Sequence, residues 1–316
     1  METAAVLREK VLLLQGALNG TLLGKPVVVE RVLTCLLAGG HLLLEDMPGV
    51  GKTTLAFALS KAVKGSFVRI QFTSDLLPSD ILGTRLYRRG VEAFEFLPGP
   101  IFANFVLADE LNRAPPKTQS ALLQAMNEGC VSVERETHPL PGPFMVIATQ
   151  NPRGYHGTYP LPESQRDRFL MRVSIGYPDP GTEIRILTGS REQPLLEKIE
   201  PVLSPEQVLQ VQALVRGITV PEPCLGYLSR LAEATRGHAD VVIPVSPRGT
   251  ISLMRAAQAL AFLRGQDWVD LDLVKELAPA VLAHRLALRL FHQDSILEGA
   301  PGTWVERELL QRVPVE

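Results

Sequence analysis

The stretch EDMPGVGKTT, residues 45–54, follows an apolar run and precedes a helical pattern, and it narrows the possible folds more than any other part of the chain. Gly49 and Gly51 let the backbone turn its N–H groups inward around anionic oxygens, Lys52 can reach terminal phosphates as a point charge, and Thr53 can give its hydroxyl to magnesium. Pro48, Val50 and Thr54 complete the loop expected to bind the nucleotide. His41-Leu42-Leu43-Leu44 before the loop reads as a buried strand, and Leu55, Ala58, Leu59, Ala62 and Val63 after it recur at helical spacing. A strand, a glycine-bearing loop and a helix in that order aim the positive end of a helix dipole at bound phosphate. The usual pattern, G-x-x-x-x-G-K-[ST], asks for Gly at position 46, where this chain has Asp46. Taken alone, the stretch is also compatible with a plain Gly-rich turn carrying an exposed lysine.

The rest of the chain adds to the case for a nucleotide site. From about residue 40 to 176, strand-like runs (HLLLE, FVRIQF, NFVLADE, PFMVIATQ, FLMRVSI) alternate with helical patterns. Such alternation predicts a parallel sheet covered by helices. Beyond about residue 185 the strand signals give way to helices. Ser204-Pro205-Glu206-Gln207 combines an N-cap, Pro at the first helical position and Gln at the third, ahead of Val208, Val211, Leu214 and Val215. Further helices are expected from about 225 to 235, 246 to 264 and 271 to 289, with Pro279 expected to kink or divide the last.

NFVLADE is an apolar strand ending in two carboxylates, Asp109 and Glu110, which would face the same crevice as the phosphate loop. Asp109 is expected to hold magnesium through its water shell and Glu110 to polarise the water that attacks a γ-phosphate. FMVIATQNP is another buried strand closing on polar residues, and Asn151 could orient that water, although Asn before Pro also simply starts turns.

With 316 residues, 46% hydrophobic and 21% charged, the chain is long enough for an ordinary core and suggests two domains. A net charge of -2 gives no general pull toward nucleic acid or anionic membrane. Cys35, Cys130 and Cys224 are far apart and lack metal-ligand spacing, and the six histidines form no cluster, so neither disulfides nor a zinc site is expected. The first segment, METAAVLREKVLLLQGALNG, reads as an amphipathic helix rather than a signal, and no run approaches membrane-spanning length. A cytoplasmic location is expected.

The runs QFTSDLLPSDILGT, FLPGPIFANFVLADELNRAPPKTQSALLQAMNEG, ATQNP and GTYPLPESQRDRFLMRV, in this order, resemble the MoxR family of AAA+ ATPases over roughly residues 20–285. The resemblance implies an AAA+ P-loop αβα sandwich over residues 1–190, with an N-terminal helix, and a smaller all-helical lid plus tail over 191–316. It implies a hexameric, Mg-ATP-dependent remodelling machine with nucleotide between subunits, whose clients in the family include von Willebrand factor A-domain proteins. Lys52 and Thr53 match Walker A, Asp109 and Glu110 Walker B, Asn151 sensor 1, Arg168 the arginine finger, with Arg166 as its alternative, and Arg248 sensor 2. Leu23-Gly24-Lys25 falls where the family has a motif near the adenine, with Lys25 in place of the more usual Gln. A magnesium-chelatase-like motor subunit is the second reading; a nucleic-acid ring motor is the third, disfavoured by the acidic balance. Two hairpins, 85–96 and 131–139, are expected as insertions that either contact client or are simply solvated.

Overall fold

Five runs of strand length, the central ones apolar on both sides, can satisfy their backbone only by pairing with one another and can hide their apolar side chains only between two helical layers. A computed structural model, describing residues 3–47, 49–90, 92–134, 136–150, 158–188, 199–289 and 300–315, shows that arrangement. Strands β1 (Leu42–Glu45), β2 (Phe67–Gln71), β5 (Phe105–Asp109), β8 (Met145–Gln150) and β9 (Met171–Val173) form one sheet in the order β2-β5-β8-β1-β9. Every pairing in it is parallel.

The period-2 alternation of side chains splits each central strand between two cores. Phe105, Leu107, Met145 and Ile147 join the cluster on one face, and Val106, Ala108, Val146 and Ala148 join the cluster on the other. The first face carries α1 (Ala4–Thr21), α2 (Pro26–Leu37) and α3 (Lys52–Ala62); the second carries α5 (Pro116–Glu128), with the short α4 (Pro78–Leu82) ahead of it. The expected amphipathic first helix is present, burying Leu7, Val11, Leu14 and Leu18.

The C-terminal part holds α8 (Pro205–Arg216), α9 (Glu222–Gly237), α10 (Pro247–Leu263) and α11 (Leu271–Leu282), after α6 (Glu163–Arg166) and α7 (Pro180–Thr188). The capping box at Ser204 forms as read: Ser204 Oγ accepts from Gln207 N at 3.3 Å while Gln207 Oε1 accepts from Ser204 N at 2.8 Å. The core that starts on the sheet continues through α1 and α2 into these helices without a break. The expected boundary at 190 falls outside the described residues.

Two expectations are corrected. The last long helix runs through Pro279 undivided and stops at Leu282, because residues 283–285 tighten into a 3₁₀ turn that brings His284 and Arg285 back against residues 167–170. Strands also do not end at 185: β10 (Val241–Ile243) and β11 (Ala287–Leu288) pair antiparallel across the helical part. The two predicted hairpins form, β3 (Gly83–Arg88) with β4 (Ala93–Pro98) and β6 (Cys130–Val133) with β7 (Glu136–Pro139). They pack on each other: Phe96 stacks on His138 with ring centroids 3.9 Å apart, and Arg85 reaches Glu134 and Glu136 at 3.3 and 3.4 Å.

His41 fixes the N-terminal edge of the sheet. Its Nδ1 accepts from Val146 N at 3.0 Å, so its hydrogen sits on Nε2 and is donated to Met126 O, also at 3.0 Å. Burial pushes its pKa down to about 4 from 6.5, and burial also holds His284 well below its ordinary value. A proton is thus bound by the unfolded chain before the folded one. Stability is whole above pH 6.5 and falls as pH drops toward 4, by about 3 kcal/mol for His41. Urea midpoints measured across that window should decline in the natural chain and decline less steeply in His41→Gln; parallel curves for the two proteins would refute the assignment.

Candidate functional site

The phosphate loop leaves β1 at the carboxyl edge of the sheet and enters α3 at Lys52. Gly49 and Gly51 have φ of 87° and 92°, in the left-handed region that glycine alone enters without cost. Gly51 is the N-cap of α3, so its conformation sets how the first N–H groups of the helix face the loop. Asp46 does not line that concavity as the missing glycine would. Its carboxylate is buried and accepts three hydrogen bonds from the segment after β9: Ser174 Oγ at 2.8 Å, Ile175 N at 2.5 Å and Gly176 N at 3.1 Å. The residue before it is used in the same way, since Glu45 accepts from Gln150 Nε2 and Arg172 Nη1, both at 2.7 Å. Both acids of EDMPGVGKTT thus clamp the root of the loop to the neighbouring strands.

Lys52 is buried and donates to Asp46 O at 2.6 Å. Burial holds its pKa below the ordinary lysine value, while Asp46, Asp109 and Glu110 pull it back up. The carboxylates at the end of β5 thus favour the charged form of the lysine that would meet the phosphates. Thr53 is exposed on the first turn of α3, and Val50 and Thr54 sit partly covered beside it.

The two carboxylates at the end of β5 are held by a network that sequence reasoning missed. Thr149, fully buried on β8, donates to Asp109 Oδ1 at 2.6 Å and accepts from Glu110 N at 2.8 Å. Arg69 on β2 grips Asp109 Oδ2 through Nη2 at 2.6 Å and Nε at 3.1 Å. Glu110 has φ 56° and ψ 45°, a left-handed backbone that a non-glycine residue takes at a cost of roughly 1–3 kcal/mol. Its Oε2 accepts from Gln71 Nε2 at 3.1 Å and Arg113 Nη1 at 2.8 Å. One signal for Thr149 was available: a polar residue at the last inward position of an otherwise apolar strand.

These residues fit a nucleotide with its magnesium. The loop offers curvature at two glycines, a buried ammonium and a helix N-terminus bearing the exposed Thr53, and the oxygens of Asp109 are already ordered by Thr149 and Arg69. Among the described residues no group of three or more His, Cys, Asp or Glu could hold a metal by itself, so a cation here would share its shell with phosphate and water. Pro48 and Asn151, expected in the loop and at sensor 1, lie outside the described residues. Lys25 donates to Tyr177 O at 2.7 Å, tying the expected base-side motif to the segment that Asp46 holds.

The expected cations stand elsewhere. Arg168 donates to Leu123 O at 2.6 Å, and Arg248 donates to Asn127 Oδ1 at 2.7 Å. Leu123 and Asn127 are one turn apart on α5, so the two arginines are neighbours. That end of α5 is the end whose Met126 O meets His41, and Leu170 N donates to His41 O at 2.8 Å. His41 precedes β1 and the phosphate loop follows it, so the strand, roughly 13 Å long at its usual rise, separates both arginines from Lys52. Arg166, the alternative finger, pairs with Glu163 at 2.9 Å.

Residues 41–171 match the family described as ATPase family associated with various cellular activities (AAA), and residues 233–301 match the AAA lid domain. The chain is 45% identical over 301 residues to a protein named Chaperone MoxR1 from Mycobacterium tuberculosis, covering 92% of this chain and 78% of that one. Over 299 residues it is 32% identical to the Protein MoxR of Paracoccus denitrificans, covering 87% of each. A crystal structure of a protein from Cytophaga hutchinsonii matches with a TM-score of 0.80 at 37% identity, covering 90% of this chain and 89% of that chain.

Restoring the missing glycine provides a direct check on Asp46. Asp46→Gly would complete the formal motif yet strand two backbone N–H groups and a hydroxyl, so it should destabilise the fold by about 1–3 kcal/mol and weaken ATP binding. Denaturant midpoints and calorimetric ATP titration measure both; a variant as stable as the natural chain would show that the clamp carries no weight.

Proposed function

Because the chain belongs to the MoxR family of AAA+ ATPases, we propose that it hydrolyses ATP with magnesium and uses the cycle to remodel a protein partner, working as a ring of identical subunits, hexameric in the family's manner. The observation that carries the reading is the split between the two edges of the sheet. Phosphate loop and carboxylates stand at one edge, and Arg168 and Arg248 stand at the other. That separation favours a neighbouring copy, rather than the same chain, bringing the arginines to the γ-phosphate.

In this reading Lys52 exchanges the carbonyl of Asp46 for terminal phosphate oxygens, as a point charge does readily. Thr53 and Asp109 hold magnesium, which when bound neutralises phosphate charge and favours departure of the leaving group. Glu110 takes the proton of the attacking water; Arg113, Gln71 and the Thr149 link keep its carboxylate aimed. Arg168 and Arg248 supply positive charge from the neighbour, and Asn151 orients the water. The remodelling part of the reading rests on the relative named as a chaperone, and a von Willebrand factor A-domain protein is one class of client that it admits.

Three variants test the scheme. Lys52→Ala should lose ATP binding in a calorimetric titration. Glu110→Gln should bind ATP and hydrolyse it about 10²–10⁴-fold more slowly, seen as phosphate release. Arg168→Ala should bind ATP but lose about 10³–10⁵ in turnover, and co-assembly with Lys52→Ala should return part of the activity, because each supplies what the other lacks. Co-assembled rings as inactive as either parent, alongside restored activity between Arg166→Ala and Lys52→Ala, would move the finger to Arg166.

A further inference from the structure

Asp167 lies between the two candidate finger arginines, and its carboxylate turns away from them toward the helical domain. Its Oδ1 accepts from Arg285 Nε at 2.8 Å and its Oδ2 accepts from Ser246 Oγ at 3.0 Å. Ser246 is the N-cap of α10: while donating to Asp167, its Oγ accepts from Gly249 N at 3.1 Å. Arg248 follows two residues later. Arg285, only 3% exposed, also donates to Phe169 O at 2.6 Å, to Leu170 O at 3.0 Å and to Ser252 Oγ at 3.2 Å. His284 Nε2 stands 3.1 Å from Phe169 O. Asp167 lies within the run GTYPLPESQRDRFLMRV, but the resemblance gives no role to it or to Ser252, His284 or Arg285.

An arginine that must meet a phosphate across a subunit boundary has a long side chain with much rotamer freedom, so its backbone has to be fixed by something else. A misplacement of 1 Å at a reacting centre can cost about 100-fold in rate. Residues 167–170 bridge α6 and β9 with no regular structure of their own beyond a short turn. Their hydrogen bonds to α10 and to the turn after α11 supply the fixing.

We infer that Asp167 is a positioning residue: through Ser246 and Arg285 it fastens the segments bearing Arg168 and Arg248 into one unit, which each chain presents to the nucleotide of a neighbouring copy. The inference rests on the reading of Arg168 as a finger acting in trans. It makes the helical domain of one subunit the setter of catalysis in the next. Arg285 keeps the unit rigid by satisfying backbone carbonyls on both sides of Phe169, and Ser246 joins the cap of α10 to the same carboxylate.

Removing Arg285 would strand buried carbonyls and could unfold the chain, so the test uses Ser246 and Asp167. Ser246→Asp keeps an acceptor for Gly249 N but has no hydrogen to give Asp167 and sets a second carboxylate beside it; Ser246→Thr keeps both bonds. Asp167→Asn removes the charge that faces Arg285. Full-length Ser246→Asp and Asp167→Asn should bind ATP as the natural chain does and lose about 10–100-fold in kcat with KM little changed, while Ser246→Thr restores kcat. Co-expressed with Lys52→Ala, each slow variant should regain activity; co-expressed with Arg168→Ala, each should stay slow, because every finger in the ring is then faulty. The reverse pattern, rescue by Arg168→Ala and none by Lys52→Ala, would place the damage in the variant's own nucleotide site and overturn the inference. Natural turnover in both variants would overturn it too. If instead Arg168→Ala and Lys52→Ala fail to restore one another, the reading of the finger itself falls, and that result is separate from the other two.

Discussion

The buried carboxylate of Asp46 is the constraint around which the nucleotide edge is organised. A charge taken from water is tolerated only where hydrogen bonds replace the lost solvation, and here two backbone N–H groups and a hydroxyl do so. In exchange, the root of the phosphate loop is fixed to the segment that leaves the sheet at β9. The carbonyl of the same residue holds the ammonium of Lys52, so side chain and main chain of one residue define both the floor of the loop and the resting place of its cation. Gly49 and Gly51 then need only provide curvature. A glycine at 46 would give freedom at a point where this chain uses fixity.

Across the crevice the charges are balanced in pairs rather than pooled. Asp109 faces Arg69 and Thr149, and Glu110 faces Gln71 and Arg113. Except for the local Arg113–Glu110 pair, each contact crosses from one strand to its neighbour, so the aim of the carboxylates follows sheet register: Gln71 lies opposite Asp109 in the β2–β5 pairing, and Ala108 lies opposite Ala148 in the β5–β8 pairing. The left-handed backbone of Glu110 is held in the same way, its N–H captured by the Thr149 hydroxyl that also serves Asp109. A residue in that conformation persists only where its surroundings over-determine it, and here they do.

The sheet was legible because its central strands, buried on both faces, read as apolar runs, and all five strand-like runs read from the sequence, edge strands included, are strands of the sheet. The capped helices and both hairpins were legible for a similar reason, since capping boxes and alternation are local signals. What could not be read was set by partners distant in the chain. β10 and β11 are three and two residues long and exist because they pair with each other, 45 or so positions apart. The stop of α11 at Leu282 answers to Phe169 and Asp167, not to Pro279. Asp46 looked like a defect in a motif because its donors lie near residue 175. The residues that support the site (Arg69, Gln71, Thr149, Ser246, Arg285) have no spacing pattern of their own, and only the fold brings them to the groups they orient.

Placing the cations at the edge opposite the phosphate loop has a consequence for how such a chain can be regulated. Within one subunit, the arginines rest on backbone and amide oxygens of α5, Arg168 in a part-buried contact and Arg248 in an exposed one. Their attachment to the helical domain, by contrast, is buried and multiply bonded. Each arginine tip is thus held by a single acceptor among the described residues while its base is held by several bonds, which would suit groups that leave one surface and engage another without losing aim. Because α2, the helix that follows Lys25, packs against α10 in the same continuous core, any shift of the helical domain relative to the sheet moves the base of both arginines together. In the proposed ring, hydrolysis at one interface would in this way be tied to the posture of the subunit that supplies the charge rather than the one that holds the nucleotide, and a closed ring of such subunits would pass that posture from each site to the next.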